Sequence, residues 1–197
     1  MTTFSGKGLA TRARIVDTTA RLMFERGIEN TTMEDVREGA EVSGSQLSHY
    51  FRGKADLTRE VLAERRRYVA ELHNQAFDTI DALQAWADAC VADTTAVYQR
   101  GGCVYGSLAG ELIEGDEPVR DDVAAGYDAW IERFRAGLTA MKRRGALRAD
   151  ADPRHLAVSL VIAHQGGAML TFVTGDPEPL RTNLYAAVDY VRSFAAD

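Results

Sequence analysis

The sequence predicts an all-α fold of about nine helices. Strand-like alternation of β-branched residues is absent, and apolar residues recur at spacings of three and four. Of the four prolines, none precedes Pro118. The helices divide into a small head over residues 1–55 and a larger body over 56–197.

The first helix is expected from about Thr11 to Arg26, with Ile15, Thr19, Leu22 and Met23 inward and Gly27 as its stop. Thr31 and Thr32 offer cap hydroxyls to a short helix over Met33 to Ala40. A turn at Glu41-Val42 leads to Ser43, a second cap, and another short helix ending near Tyr50. After Gly53 a long helix starts at Lys54 and buries Leu57, Val61, Tyr68 and Leu72. The fifth helix covers Ile80 to Tyr98 and ends at Arg100-Gly101-Gly102; the sixth covers Val104 to Ile113. Gly115-Asp116-Glu117-Pro118 opens the seventh, whose stripe runs Val119, Val123, Tyr127, Trp130, Phe134, Leu138, Met141 and closes at Gly145. The eighth starts near Pro153, and the ninth spans Pro177 to Phe194.

The 197 residues are 46% hydrophobic and 26% charged, a globular mixture that excludes a disordered chain. Two cysteines exclude a disulfide framework and suit a reducing cytoplasm. The N-terminus has no apolar segment of the signal-peptide kind. The apolar stretch Leu156 to Val173 is broken by Ser159, His164, Gln165 and two glycines, so it reads as a buried helix. A soluble cytoplasmic protein is expected. Net charge is −6, but residues 1–67 carry 12 basic and 10 acidic side chains, against 11 and 19 in the remainder. An acidic body repels phosphate, so any DNA contact belongs to the head.

Two short helices after a scaffold helix, joined by a tight turn, form the helix-turn-helix plan, whose second helix enters the major groove. That helix presents Ser43, Gly44, Ser45, Gln46, Ser48, His49 and Tyr50. Small residues at its start let backbone N–H groups approach phosphate. Gln46 is suited to pair with an adenine edge and the serines with either base partner. Leu47 faces inward, Thr32 caps the first short helix, and Lys54 is placed for a phosphate. Lys7, Arg12 and Arg14 form a basic arm that either reaches DNA or stays disordered.

The run TTMEDVREGAEVSGSQLSHYFRGKADL resembles the DNA-binding signature of TetR-type transcriptional repressors, matching at Thr32, Val36, Ala40, Val42-Ser43, Leu47, His49-Tyr50-Phe51, Gly53-Lys54 and Leu57. GGCVYGSLAGEL, GALRADADP and HQGGAML further resemble the branch that contains LmrA/YxaF-like repressors. Two positions depart from the pattern. Glu41 stands where glycine is common, in a turn expected to be left-handed, at a cost of about 1–2 kcal/mol. Ser48 stands where tyrosine is common, which removes one aromatic contact to DNA.

The eighth helix is apolar on two faces, one through Leu156, Leu160, Gly167 and Leu170, and the ninth supplies a seam of Leu180, Leu184 and Val191. A second copy is the natural cover, and the resemblance implies a homodimer joined through these two helices and reading a palindromic operator. It also implies an effector pocket in the body, for which the candidates are Trp86, Cys103, Tyr105, Tyr127, Trp130, Phe134, His164, Gln165 and Met169. These suit an apolar or aromatic small molecule; the plainer reading of each is ordinary core. Ligand-driven movement of helices four, six and seven would change the spacing of the recognition helices and release DNA.

Cys103 starts the sixth helix, where the dipole favours a thiolate. It is either an electrophile or redox sensor or an inert buried thiol, while Cys90 reads as structural. The acidic run Glu111, Glu114, Asp116, Glu117, Asp121, Asp122 gathers at a helix start and reads as a solvated face, not a metal site. No cofactor is expected. No phosphate-binding loop, HExxH, GxSxG or zinc-spaced Cys/His set occurs, so an enzyme is not expected. The remaining alternative is a dimeric ligand-binding module with weak DNA binding.

Overall fold

The computed structural model describes residues 6–72, 75–92, 103–112 and 117–196. Among them the elements in chain order are α1 (Gly6–Arg26), α2 (Met33–Gly39), α3 (Gly44–Tyr50), α4 (Lys54–Leu72), α5 (Ile80–Ala92), α6 (Val104–Leu112), α7 (Glu117–Arg143), α8 (Pro153–Thr174) and α9 (Glu178–Arg192). The all-α reading holds. The first helix begins five residues earlier than expected, at Gly6 in place of Thr11, where the Thr11 hydroxyl donates back to the Lys7 carbonyl at 3.0 Å. Tyr98, the Arg100–Gly102 break, Ile113, Gly115 and Asp116 lie outside the described residues, as do the side chains of Tyr68 and Leu72.

The chain forms two compact units, Met1–Val69 with Ser107–Val123, and Ala70–Gly106 with Ala124–Asp197. The first is larger than the 1–55 head read from the sequence. It takes in most of α4, most of α6 and the first turns of α7. Its interior is apolar: Ile15, Val36, Leu47, Phe51, Leu57 and Val61 are all buried. α1 packs on α2. Arg12 braces α1 to α4 through a 2.7 Å ion pair with Glu60 and lies over the Phe51 ring at 5.4 Å.

In the second unit α8 packs along α9, and α5 packs on α9. Asp152 caps α8 by accepting the Arg154 N–H at 2.9 Å and the His155 N–H at 3.3 Å, with Pro153 in the first turn. The C-terminus is clasped to the α7–α8 connection. Arg148 N–H donates to Phe194 O at 2.8 Å, and Ala196 N–H donates to Ala146 O at 3.1 Å.

The aromatic centre of this unit is Phe77 stacked on Phe134 at 4.4 Å, with Trp86 edge-on to Phe134 at 4.8 Å. Phe77 comes from the connection before α5 and can approach α7 because residue 137 is glycine: a Cβ there would collide with the Phe77 carbonyl. Gly137→Ala is therefore expected to cost about 1–3 kcal/mol in urea unfolding. Gly110→Ala, where a Cβ meets open space, is expected to gain up to about 1 kcal/mol from helix propensity.

Candidate functional site

Helices α2 and α3 have seven residues each, too few to be stable in isolation. Both are held at their starts by a capping box. Thr32 Oγ1 accepts the Asp35 N–H at 3.1 Å, and Asp35 Oδ2 accepts the Thr32 N–H at 2.9 Å. Ser43 Oγ accepts the Gln46 N–H at 3.1 Å, and Gln46 Oε1 accepts the Ser43 N–H at 2.9 Å. The bonds from the Thr32 hydroxyl and N–H hold the Asp35 carboxyl below its ordinary pKa. Thr31, the other expected cap, is buried and donates to Gly27 O at 2.9 Å. Between the helices Glu41 adopts φ +52°, the one positive φ at a non-glycine among the described residues.

This arrangement turns Leu47 inward and leaves Ser43, Gly44, Ser45, Gln46, Ser48 and His49 exposed on α3, with Tyr50 half-buried. His49 and Tyr50 stack edge to face at 5.1 Å. Several side chains offered to DNA are engaged within the chain. The Gln46 carboxamide serves its own cap, so pairing with an adenine edge requires breaking that bond. Ser45 Oγ lies 2.9 Å from Ser43 Oγ, and the Ser48 hydroxyl donates to the Gly44 carbonyl.

Three of the four expected cations also have partners within the chain. Lys54 Nζ donates to Glu29 O at 3.1 Å, Arg14 Nε to Ala40 O at 2.9 Å, and Arg12 is committed to Glu60. Arg52 is the cation that sequence reasoning missed. Its side chain is 91% exposed just beyond the end of α3, with Asp56 at 3.7 Å. Its position between Phe51 and Gly53, in the loop ahead of α4, was the available signal.

The body corrects the expected subunit seam. Leu156, Leu160, Gly167, Leu180, Leu184 and Val191 are all buried within the single chain, on helices α8 and α9. A Cβ on Gly167 would lie 2.8 Å from Leu180 Cα, so this glycine serves the intrachain contact. Spacing of three and four marks an apolar stripe without saying which chain covers it. The outward apolar face of α8 is instead Ile162, Met169, Leu170, Phe172 and Val173. Of the expected seam only Leu170 belongs to it. Met169, expected in the pocket, is 62% exposed on this face.

The other pocket candidates fall into two groups within the second unit. Trp86, Phe134, Trp130 and His164 are buried together, with His164 6.0 Å from Trp86 and 5.0 Å from Trp130 between ring centroids. Phe77, unmarked by helical periodicity because it sits in a connection, completes this group. The second group is polar. Tyr127 Oη donates to Gln165 Oε1 at 3.4 Å, Gln165 Nε2 donates to Cys103 Sγ at 3.4 Å, and Tyr105 lies edge-on to Tyr127 at 5.2 Å. Gly106 makes room for Gln165 and Gly126 for the Tyr105 phenol; a Cβ at either would overlap these groups.

This environment opposes charge. Burial pushes the Cys103 thiol above its ordinary pKa, outweighing the Gln165 hydrogen bond and the Tyr105 and Gly106 N–H groups that act in the opposite direction. The lowering expected of a helix start comes from these N–H groups and is the smaller effect. Burial likewise raises Tyr127, helped by Cys103 and Tyr105. Among the described residues no group of His, Cys, Asp or Glu is arranged to hold a metal ion.

Comparison with known proteins matches two regions of the chain. Residues 15–61 match the model for bacterial regulatory proteins of the tetR family, and residues 79–187 match the tetracyclin repressor-like C-terminal domain. The HTH-type transcriptional repressor DhaR of Mycobacterium sp. is 23% identical over 174 residues, covering 86% of this chain and 86% of that protein. LmrA of Bacillus subtilis is also 23% identical over 174 residues, covering 86% of this chain and 90% of its own, so the LmrA branch is not singled out. The crystal structure of a TetR transcriptional regulator from Chloroflexus aurantiacus has the same fold, with a TM-score of 0.85 at 22% identity over 97% of this chain and 98% of that one.

With its pKa raised, Cys103 stays protonated near neutral pH and yields thiolate only as pH climbs past the ordinary thiol value of 9.0. Iodoacetamide labelling of Cys103, followed by mass spectrometry, is expected to be slow at about pH 7.5 and to keep rising beyond about pH 9. A rate that levels off below about pH 8 would mean that the helix start outweighs burial.

Proposed function

This chain belongs to the TetR family of DNA-binding transcriptional regulators, and from that premise we propose that it is a homodimeric repressor of a palindromic operator, released by a small neutral molecule bound in its body. As a member of that family it is a transcription factor and not an enzyme. The observation that carries the reading is the doubly capped pair α2–α3, which fixes a short helix with a polar, uncharged and exposed face. Such a face suits base edges, while Arg52 and the backbone N–H groups at the start of α3 suit phosphate. Its place of action is the bacterial cytoplasm, where the operator lies.

Dimerisation is assigned to the outward face of α8. Ile162, Met169 and Val173 are each more than 60% exposed, an apolar patch that calls for a cover. A second copy related by a two-fold axis supplies it and sets two α3 helices on one face of the duplex, with half-sites near one turn apart.

The effector is assigned to the body beside Trp86, Trp130, Phe134, Tyr105, Tyr127, Cys103, His164 and Gln165. The raised pKa values of Cys103 and Tyr127 report a site hostile to charge, which favours a neutral, largely apolar or aromatic molecule. Its one polar group would compete for Gln165 or Tyr127. Cys103 is then part of the wall and not the sensor.

Two measurements test this. Binding of the purified protein to a duplex selected from a random pool is expected to weaken steeply as salt rises from about 50 to 200 mM. Arg52→Ala should weaken binding evenly across sequences and reduce the salt slope by about 1. No binding at low salt by a folded dimer overturns the repressor. The double variant Ile162→Glu, Met169→Glu is expected to sediment as a folded monomer with no operator affinity. A dimer that survives these substitutions removes the α8 face from the interface.

A further inference from the structure

Glu111 is one of the acidic residues that the sequence assigns to a solvated face, yet its carboxylate does not point only to water. Glu111 Oε2 accepts the backbone N–H of Ile28 at 2.5 Å, across 83 positions of sequence. Ile28 is buried and follows Gly27, which ends α1 at φ +86°. The carboxylate occupies the space beside Gly27 that a side chain would fill: a Cβ there would lie 3.1 Å from the same oxygen. The positive φ and this close approach both call for glycine at position 27.

The corner so gripped is the one that aims the recognition pair. Ile28 is four residues ahead of Thr32, the cap of α2. The Thr31 hydroxyl donates to Gly27 O at 2.9 Å, and Asn30 Nδ2 donates to Arg26 O at 3.0 Å, which folds the corner back on the end of α1. Lys54 holds it from the start of α4 through Glu29 O. Arg26 reaches forward from α1 to Asp35, the partner of Thr32 in the capping box, at 3.4 Å. Glu111 adds a hold from α6. That helix has nine residues, and its first turn carries Tyr105 and Gly106 of the polar group described above.

We propose that Glu111 is a positioning residue: its carboxylate latches the Gly27–Ile28 corner and sets the α2–α3 pair in its DNA-reading pose, so that the state of α6 is read out at the operator. This rests on the DNA-binding reading and names the atom pair through which the body would regulate it. A carboxylate accepting a backbone N–H is a strong, directional link. A displacement of α6 by about one ångström is enough to lengthen it past hydrogen-bond range.

The test compares the wild type with Glu111→Ala and Glu111→Gln, using the full chain. Ile28 amide exchange is followed by NMR, and affinity is measured for a duplex that the wild type selects from a random pool. In Glu111→Ala the Ile28 amide is expected to exchange roughly tenfold faster or more, with operator affinity down several-fold. The carboxamide of Glu111→Gln still accepts the N–H, so this variant should recover most of both. Unchanged Ile28 exchange in a folded Glu111→Ala overturns the latch. Faster exchange with unchanged affinity overturns its positioning role. If Glu111→Ala does not fold, Glu111→Gln decides, since a latch predicts near-wild-type exchange and affinity, and a loss of both overturns it. If the wild type selects no DNA, the repressor reading fails, and Ile28 exchange alone still tells whether the carboxylate holds the corner.

Discussion

The reciprocal bonding at the starts of α2 and α3 is the constraint on which the head depends. A seven-residue helix satisfies few of its own backbone groups, because its first four N–H groups have no partner inside the helix. Two consecutive boxes, Thr32 with Asp35 and Ser43 with Gln46, each supply partners for two N–H groups at the helix start from side chains only three residues apart. Each box fixes the direction in which the chain enters its helix, and Glu41 at φ +52° sets the angle between the two. The turn is strained for a side chain, by about 1–2 kcal/mol. Its neighbours Ala40 and Val42 are both buried, which anchors the chain on either side of it.

The same bonds set the terms of DNA recognition. Gln46, Ser45 and Ser48 are exposed, yet each is already hydrogen-bonded inside α3 or its cap. Recognition by these groups exchanges one bond for another and gains less than a free side chain would.

The sequence was most informative where one residue type has one structural use. Thr32, Ser43, Pro153 and Gly53 marked helix starts, and the inward residues Ile15, Val36, Leu47, Leu57 and Val61 are buried as their spacing requires. Periodicity failed at α8 for a physical reason. A helix apolar on two faces needs two covers, and the pattern is identical whether a cover comes from α9 or from another chain. Leu156 and Leu160 are buried within the chain, while Ile162 and Met169 stay outside. Charge says that Arg12, Arg14 and Lys54 want an anion or a carbonyl, and within the chain their partners are Glu60, Ala40 O and Glu29 O. Phe77 and Glu111 were beyond periodicity altogether, because their partners at Phe134 and Ile28 are fixed by tertiary structure alone.

The distribution of charge bears on how such a protein is controlled. Basic and acidic residues nearly balance over residues 1–67, whereas acidic residues dominate the remainder. Many cations of the head are tied up in pairs, Arg12 with Glu60, Arg26 with Asp35, Arg37 with Glu34, and Arg67 with Glu64. These pairs lower the free positive charge of the head, so the salt-sensitive part of DNA affinity rests on cations outside them, such as Arg52. Binding that depends on shape is easily ended by a small change of pose. A head with a large free positive charge would have more sequence-independent affinity to hold it on DNA through such a change. A pose-dependent contact of this kind is what the proposed Glu111 hold on the Gly27–Ile28 corner would act upon.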